Sequence, residues 1–67
     1  MTMKLTTRHA DKRFDIEPEG SGAYYVYIFE NGLGIADYLQ DDLQTAKEFC
    51  LRVFGVPLDS WQSAPSE

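Results

Sequence analysis

The stretch YYVYIFENGLGIADYLQDDLQTAKEFCLRVFGVP, residues 24–57, decides the fold, because every local signal in it agrees. Residues 24–29 (Tyr-Tyr-Val-Tyr-Ile-Phe) are the β-branched and aromatic types that suit a pleated strand. Asn31-Gly32 follows, a pair that tolerates positive φ and is the strongest short-range hairpin signal. A second strand then runs from Leu33 to Leu39 or Gln40. Asp41, with Gln44 three residues later, fits a capping box, and Asp42 is an alternative N-cap. At about 100° per residue, Leu43, Ala46, Phe49, Cys50, Val53 and Phe54 share one apolar stripe, with Leu51 off it. Glu48 and Arg52 make a favourable i,i+4 pair on the other side. Gly55 stands where a left-handed residue ends a helix, Val56 can supply the accompanying apolar contact, and Pro57 blocks continuation.

Working outward, Arg13-Phe14-Asp15-Ile16-Glu17 alternates polar and apolar, the period of a half-buried strand. Pro18 ends it, and the Gly- and Ser-containing loop after it leads into the aromatic strand. The expected fold class is α+β: a three-stranded antiparallel meander (about 12–17, 23–30 and 33–40) with one helix (about 42–54) on one face. The domain is expected to occupy residues 12–61, with Leu58 and Trp61 folding back onto the helix end or sheet edge. Residues 1–11 read as a flexible arm and 62–67 as a disordered tail. The loop is Asn31-Gly32 alone or Asn31 to Gly34, and either even length puts Val26, Ile28, Ile35 and Leu39 on one side, with Asp37 among them. Tyr25, Tyr27, Phe29, Ala36 and Tyr38 fall on the other. The helix is expected on the aliphatic side, leaving Tyr25, Tyr27, Phe29 and Tyr38 as the candidate interface.

Size and composition narrow the field. The chain has 67 residues, one cysteine and one histidine, which excludes an internal disulfide and an ordinary structural zinc site. A chain this short buries only about 60% of its extended surface, so good packing or oligomerisation must supply its stability. Residues 1–10 lack the apolar run of a secretory signal, and no stretch approaches a membrane span. A cytoplasmic location with no membrane partner is the expectation, in keeping with a lone cysteine. Charge is unevenly spread. Lys4, Arg8, Lys12 and Arg13 against Asp11 leave the first thirteen residues at +3, and ten acids against Lys47 and Arg52 leave the rest at −8, for a net −5. Nucleic-acid binders carry a basic stripe on the folded surface, so nucleic acid is not an expected partner.

No recognisable chemistry stands out. Asp37, Asp41 and Asp42 are near one another, but capping accounts for Asp41 and Asp42, and the spacing is not that of a cation-binding loop. Cys50 lies within the helix's apolar stripe and His9 in the arm, so no activated nucleophile is expected. The glycines do not open a helix after a strand, the context a phosphate-binding loop requires. No catalytic residue, metal or cofactor is assigned. Aromatic sheet faces stack unpaired bases in RNA-binding modules, but the acidity argues against that use here. A tyrosine-rich face suits a protein interface, since tyrosine buries a large area and keeps a polar tip.

The run from Asp37 to Phe49, closed by Phe54-Gly55-Val56-Pro57 and Trp61, resembles a group of short uncharacterised bacterial proteins. In that group a hairpin leads to a D-x-L-x-x-A helix ending in F-G-V-P and a tryptophan. The resemblance covers about residues 24–61 and implies the fold but no activity. The strand–helix passage is similar, more weakly, to HicB-type antitoxins and to small immunity proteins; the former resemblance implies an added DNA-binding segment, for which 67 residues are expected to be too few. A likeness to MbtH-type partner proteins is limited to size and acidity. The expectation is a non-enzymatic protein acting by homodimerisation or by contact with a protein partner through the aromatic face. The alternative is a small acidic antitoxin or immunity-type inhibitor, which would meet a basic toxin quickly by charge complementarity.

Overall fold

Two turns with left-handed backbone shape the sheet. In the computed structural model, which describes residues 3–65, the order is β1 (Met3–His9), β2 (Lys12–Pro18), β3 (Tyr24–Glu30), β4 (Leu33–Gln40), α1 (Leu43–Phe54) and β5 (Gln62–Pro65). The strands form one antiparallel sheet in the order β4-β3-β2-β1-β5. The α+β class, antiparallel sheet and single helix agree with expectation, but the sheet has five strands where three were expected. Asn31 and Gly32, at φ 54° and 80°, make the expected two-residue hairpin, with Glu30 opposite Leu33. Ala10 and Asp11, at φ 51° and 67°, make a second one, with His9 opposite Lys12. An alanine in left-handed backbone is a weak turn signal, which hid this hairpin.

β1 therefore occupies most of what reads in sequence as an arm, and β5 most of what reads as a tail. Met1, Thr2, Ser66 and Glu67 lie outside the described residues. β1 supplies only Leu5 to the core, and β5 (Gln-Ser-Ala-Pro) has almost no strand propensity of its own. It forms by using the free edge of β1, from Met3 opposite Pro65 to Thr6 opposite Gln62.

The expected division of β4 between faces is inverted. Phe29 pairs with Gly34, but Ile28 pairs with Ala36, so Ile35 is an extra residue: a β-bulge. One inserted residue moves every later side chain to the other face. Ala36 and Tyr38 thus stand opposite Ile28 and Val26 on the helix side. Asp37 and Leu39 stand opposite Tyr27 and Tyr25 on the open side.

The core lies between the sheet and α1. Phe14, Ile16, Val26 and Ile28 from β2 and β3 meet Ala46 and Cys50 of the helix and Val56 beyond it, all fully buried. Each large apolar side chain so buried contributes about 1.5–3 kcal/mol. Leu43, Phe49, Phe54 and Trp61 pack around them, and the Phe54 ring lies 5.3 Å from that of Phe14. Val53, on the expected apolar stripe, is instead exposed, as is Leu58. Asp42 is the N-cap, accepting from the Thr45 N–H at 2.8 Å. Gln44 does not complete a capping box and donates to Glu48 at 3.1 Å. At the other end Gly55, at φ 78°, donates to the Leu51 carbonyl, and Val56 donates to that of Cys50.

Candidate functional site

The sheet has one helix, on one side, so its other face is the surface with most to offer a partner. Alternation along each strand assigns that face: Lys4, Thr6 and Arg8 from β1; Arg13, Asp15 and Glu17 from β2; Tyr25, Tyr27 and Phe29 from β3; Asp37 and Leu39 from β4. Three of the four candidate interface residues are thus brought together. Tyr25 and Tyr27, two apart on β3, stack with ring centroids 5.5 Å apart at 26°. Phe29 lies under the Arg13 guanidinium, 4.2 Å from ring centroid to Cζ. The fourth, Tyr38, is on the helix side, where its ring lies 4.7 Å from that of Phe49.

These aromatics are half-buried, while the two most exposed apolar side chains, Leu33 and Leu39, belong to β4, as does exposed Ile35. Leu33, Ile35 and Leu39 are 70%, 49% and 57% exposed. Ile35 lines a shallow depression of about 260 Å³ together with Tyr27, Phe29 and Asp37. β4 is also the outer strand of the sheet, eight residues long, with Asp37 as its one charged side chain. An edge of that length with little charge is a template for pairing with another chain. The β5 edge is short and carries Pro65. The Ile35 bulge, which sequence parity missed, is what puts Leu39 beside Tyr25.

The middle of the open face is polar and tightly organised. Asp15 is 1% exposed, unusual for a carboxylate on an uncovered sheet face. It accepts from Thr6 Oγ1 at 2.7 Å and Lys4 Nζ at 3.1 Å, and lies 3.5 Å from Arg13 Nε. Thr6 is its direct cross-strand neighbour on β1, and Tyr27 its neighbour on β3. The alternation of Arg13, Asp15 and Glu17 signalled these acids and bases on one face, but without β1 the sequence offered no partner for Asp15. Tyr27 has its phenol pushed up, by burial first and then by the negative charge of Glu17, by Tyr25 and by Asp37.

The other chemistry-bearing residues are accounted for locally. Burial pushes the Cys50 thiol up to about 11, so it is protonated and inert near neutrality. Hydrogen bonds from the Thr45 N–H, then from its hydroxyl, hold the Asp42 carboxyl below the usual range. His9 is in strand β1, with Nε2 3.5 Å from where a β-carbon on Gly55 would stand. Among the described residues, no group of three His, Cys, Asp or Glu is placed to hold a metal ion. Nor is any helix among them long and apolar enough to cross a membrane. No protein-family model, curated protein or solved structure matches the chain.

Proposed function

We propose that this is a non-enzymatic cytoplasmic protein that works by protein–protein contact, and that its open sheet face and β4 edge pair two copies as a homodimer. The observation that carries the reading is the uncovered outer strand β4, where exposed Ile35 and Leu39 adjoin Tyr27 and Tyr25 of the open face. A flat face bordered by an open edge suits a two-fold contact, in which the same patch serves both subunits. The molecule measures 30 × 24 × 20 Å. A contact centred on β4 uses part of a side of that size, which puts it toward the small end of the interface range. Tyrosine at its centre supplies area without heavy loss of side-chain freedom.

Sedimentation equilibrium tests this directly. The expected result is a species of twice the 7.6 kDa chain mass, returned to monomer by Leu39→Glu with an unchanged circular dichroism spectrum. A strict monomer at high micromolar concentration would rule out the homodimer. If a different protein is the partner, a folded Tyr25→Ser/Tyr27→Ser variant should fail to retain it. Retention unchanged in that variant means the face is not the contact.

A further inference from the structure

Between β1 and β2, two arginines face each other with too little negative charge between them. Arg8 and Arg13 are direct cross-strand neighbours on β1 and β2, both on the open face. Like charges so placed repel and weaken a strand pair. Asp15 relieves this only in part. It reaches Arg13 Nε at 3.5 Å, but it already accepts from Lys4 and Thr6. Arg13 Nε makes no hydrogen bond among the described residues although it is buried. Arg8 has no ion-pair partner among them.

Both arginines line one open depression of about 390 Å³, together with Thr6, Thr7, Ser60 and Gln62. It opens where β5 stops: β5 pairs with β1 only as far as Thr6 opposite Gln62, so no strand covers that side of β1 at Thr7 and Arg8. Much of the lining is already committed. Thr6 donates to Asp15, Thr7 to Ser60, and Ser60 to the Pro57 carbonyl. What remains to meet a ligand is two guanidinium groups and the Gln62 amide. Arg13 is also held in place, by Phe29 beneath it and Asp15 beside it, so little freedom is lost on binding.

Guanidinium forks match the paired oxygens of a phosphoryl group, and two forks balance a dianion. The volume falls in the range of small-molecule sites, about 300–1,000 Å³. We propose that the Arg8–Arg13 cavity binds the phosphoryl group of a small phosphorylated molecule. The surrounding chain supports a small ligand over a nucleic acid. From Phe14 onward it carries −8, which opposes a long polyanion but not one phosphate at a local cluster of Lys4, Arg8 and Arg13. The inference does not rest on the dimer, because the cavity is lined from β1, β2 and residues 60–62, with nothing from β4.

The test is an NMR titration of the arginine Nε–H and glutamine side-chain amide signals with inorganic phosphate at constant ionic strength. Phenyl phosphate, acetate and a short single-stranded oligonucleotide serve as parallel arms. Saturable shifts are expected at Arg13 Nε–H and the Gln62 amide, with a Kd on the order of 1 mM for phosphate alone. Phenyl phosphate should bind at least as tightly and acetate more weakly. Arg8→Gln, at an exposed side chain, should weaken phosphate binding about tenfold. The melting temperature of that variant without phosphate should be unchanged or higher, because the cross-strand repulsion is gone. Non-saturating shifts that chloride reproduces, or binding undiminished in Arg8→Gln, would overturn the assignment. So would acetate matching phosphate, or the oligonucleotide binding more tightly than phenyl phosphate.

Discussion

Removing Asp15 should cost this small protein a large share of its stability, and the structure sets the size. The carboxylate side chain is 2% exposed, while its partner Lys4 is 22% exposed and Arg13 39%. Breaking a fully buried ion pair by deleting one member costs about 3–5 kcal/mol, because the survivor is left charged and dry. Here Lys4 and Arg13 can both turn to water once Asp15 is gone. The Thr6 hydroxyl, its 2.7 Å bond broken, can recover only by gaining a water. The expected loss for Asp15→Ala is therefore about 2–3 kcal/mol, below the fully buried case. Lys4→Met should cost only about 1 kcal/mol, since Thr6 and Arg13 continue to face the carboxylate. The double variant should fall short of additivity by about 1 kcal/mol, the signature of a direct contact. Domains of this length are stable by about 3–10 kcal/mol in all, so urea titrations followed by circular dichroism will resolve these differences. A loss below about 1 kcal/mol for Asp15→Ala, or one no larger than for Lys4→Met, would show that the carboxylate is solvated and refute the reasoning.

The bulge makes a prediction about neighbouring residues. Tyr38→Ala should destabilise by about 1–2 kcal/mol through the lost Phe49 contact, and Leu39→Ala by less than about 0.5 kcal/mol, as measured by thermal melts. A reversed order would return Leu39 to the helix side. Cys50 predicts a pH dependence. In the unfolded chain the thiol ionises near 9.0, while the native thiol keeps its proton up to about 11. Its contribution is therefore full below pH 9 and is lost as pH rises through 11. The raised Tyr27 phenol acts in the same sense. Urea midpoints should decline above pH 9, less steeply in Cys50→Ala than in the parent, and iodoacetamide should label Cys50 at neutral pH only after unfolding. Rapid native labelling would place the thiol at the surface.

Residues 24–57 were legible because their signals are local. Asn31-Gly32 fixes a turn through its own backbone preferences, and Gly55 with Pro57 ends a helix the same way. The N-cap was displaced by one position, from Asp41 to Asp42, because either aspartate satisfies the same rule and only the hydrogen bond to Thr45 chooses between them. What escaped depends on distant partners. β5 is a strand only because β1 offers it an edge, and the β1 hairpin turns on an alanine at φ 51°. The Ile35 bulge has one compositional mark, Gly34 inside the strand, which parity passed over; the bulge moved Tyr38 out of the candidate interface and Leu39 to the open face. Asp15 and the Arg8–Arg13 cavity depended on β1 and could not be seen without it.

The pairing of β1 with β5 also bears on how the chain reaches this structure. β1–β2, β2–β3 and β3–β4 are neighbours in sequence and can zip from their turns, and α1 follows β4 directly. Joining β5 to β1 instead closes a loop of nearly the whole described chain, the most costly closure in entropy that this topology contains. That contact should form after the rest of the sheet and open before it. Amide protons of Ser63 and Ala64 should exchange with solvent well ahead of those of Val26 and Ile28.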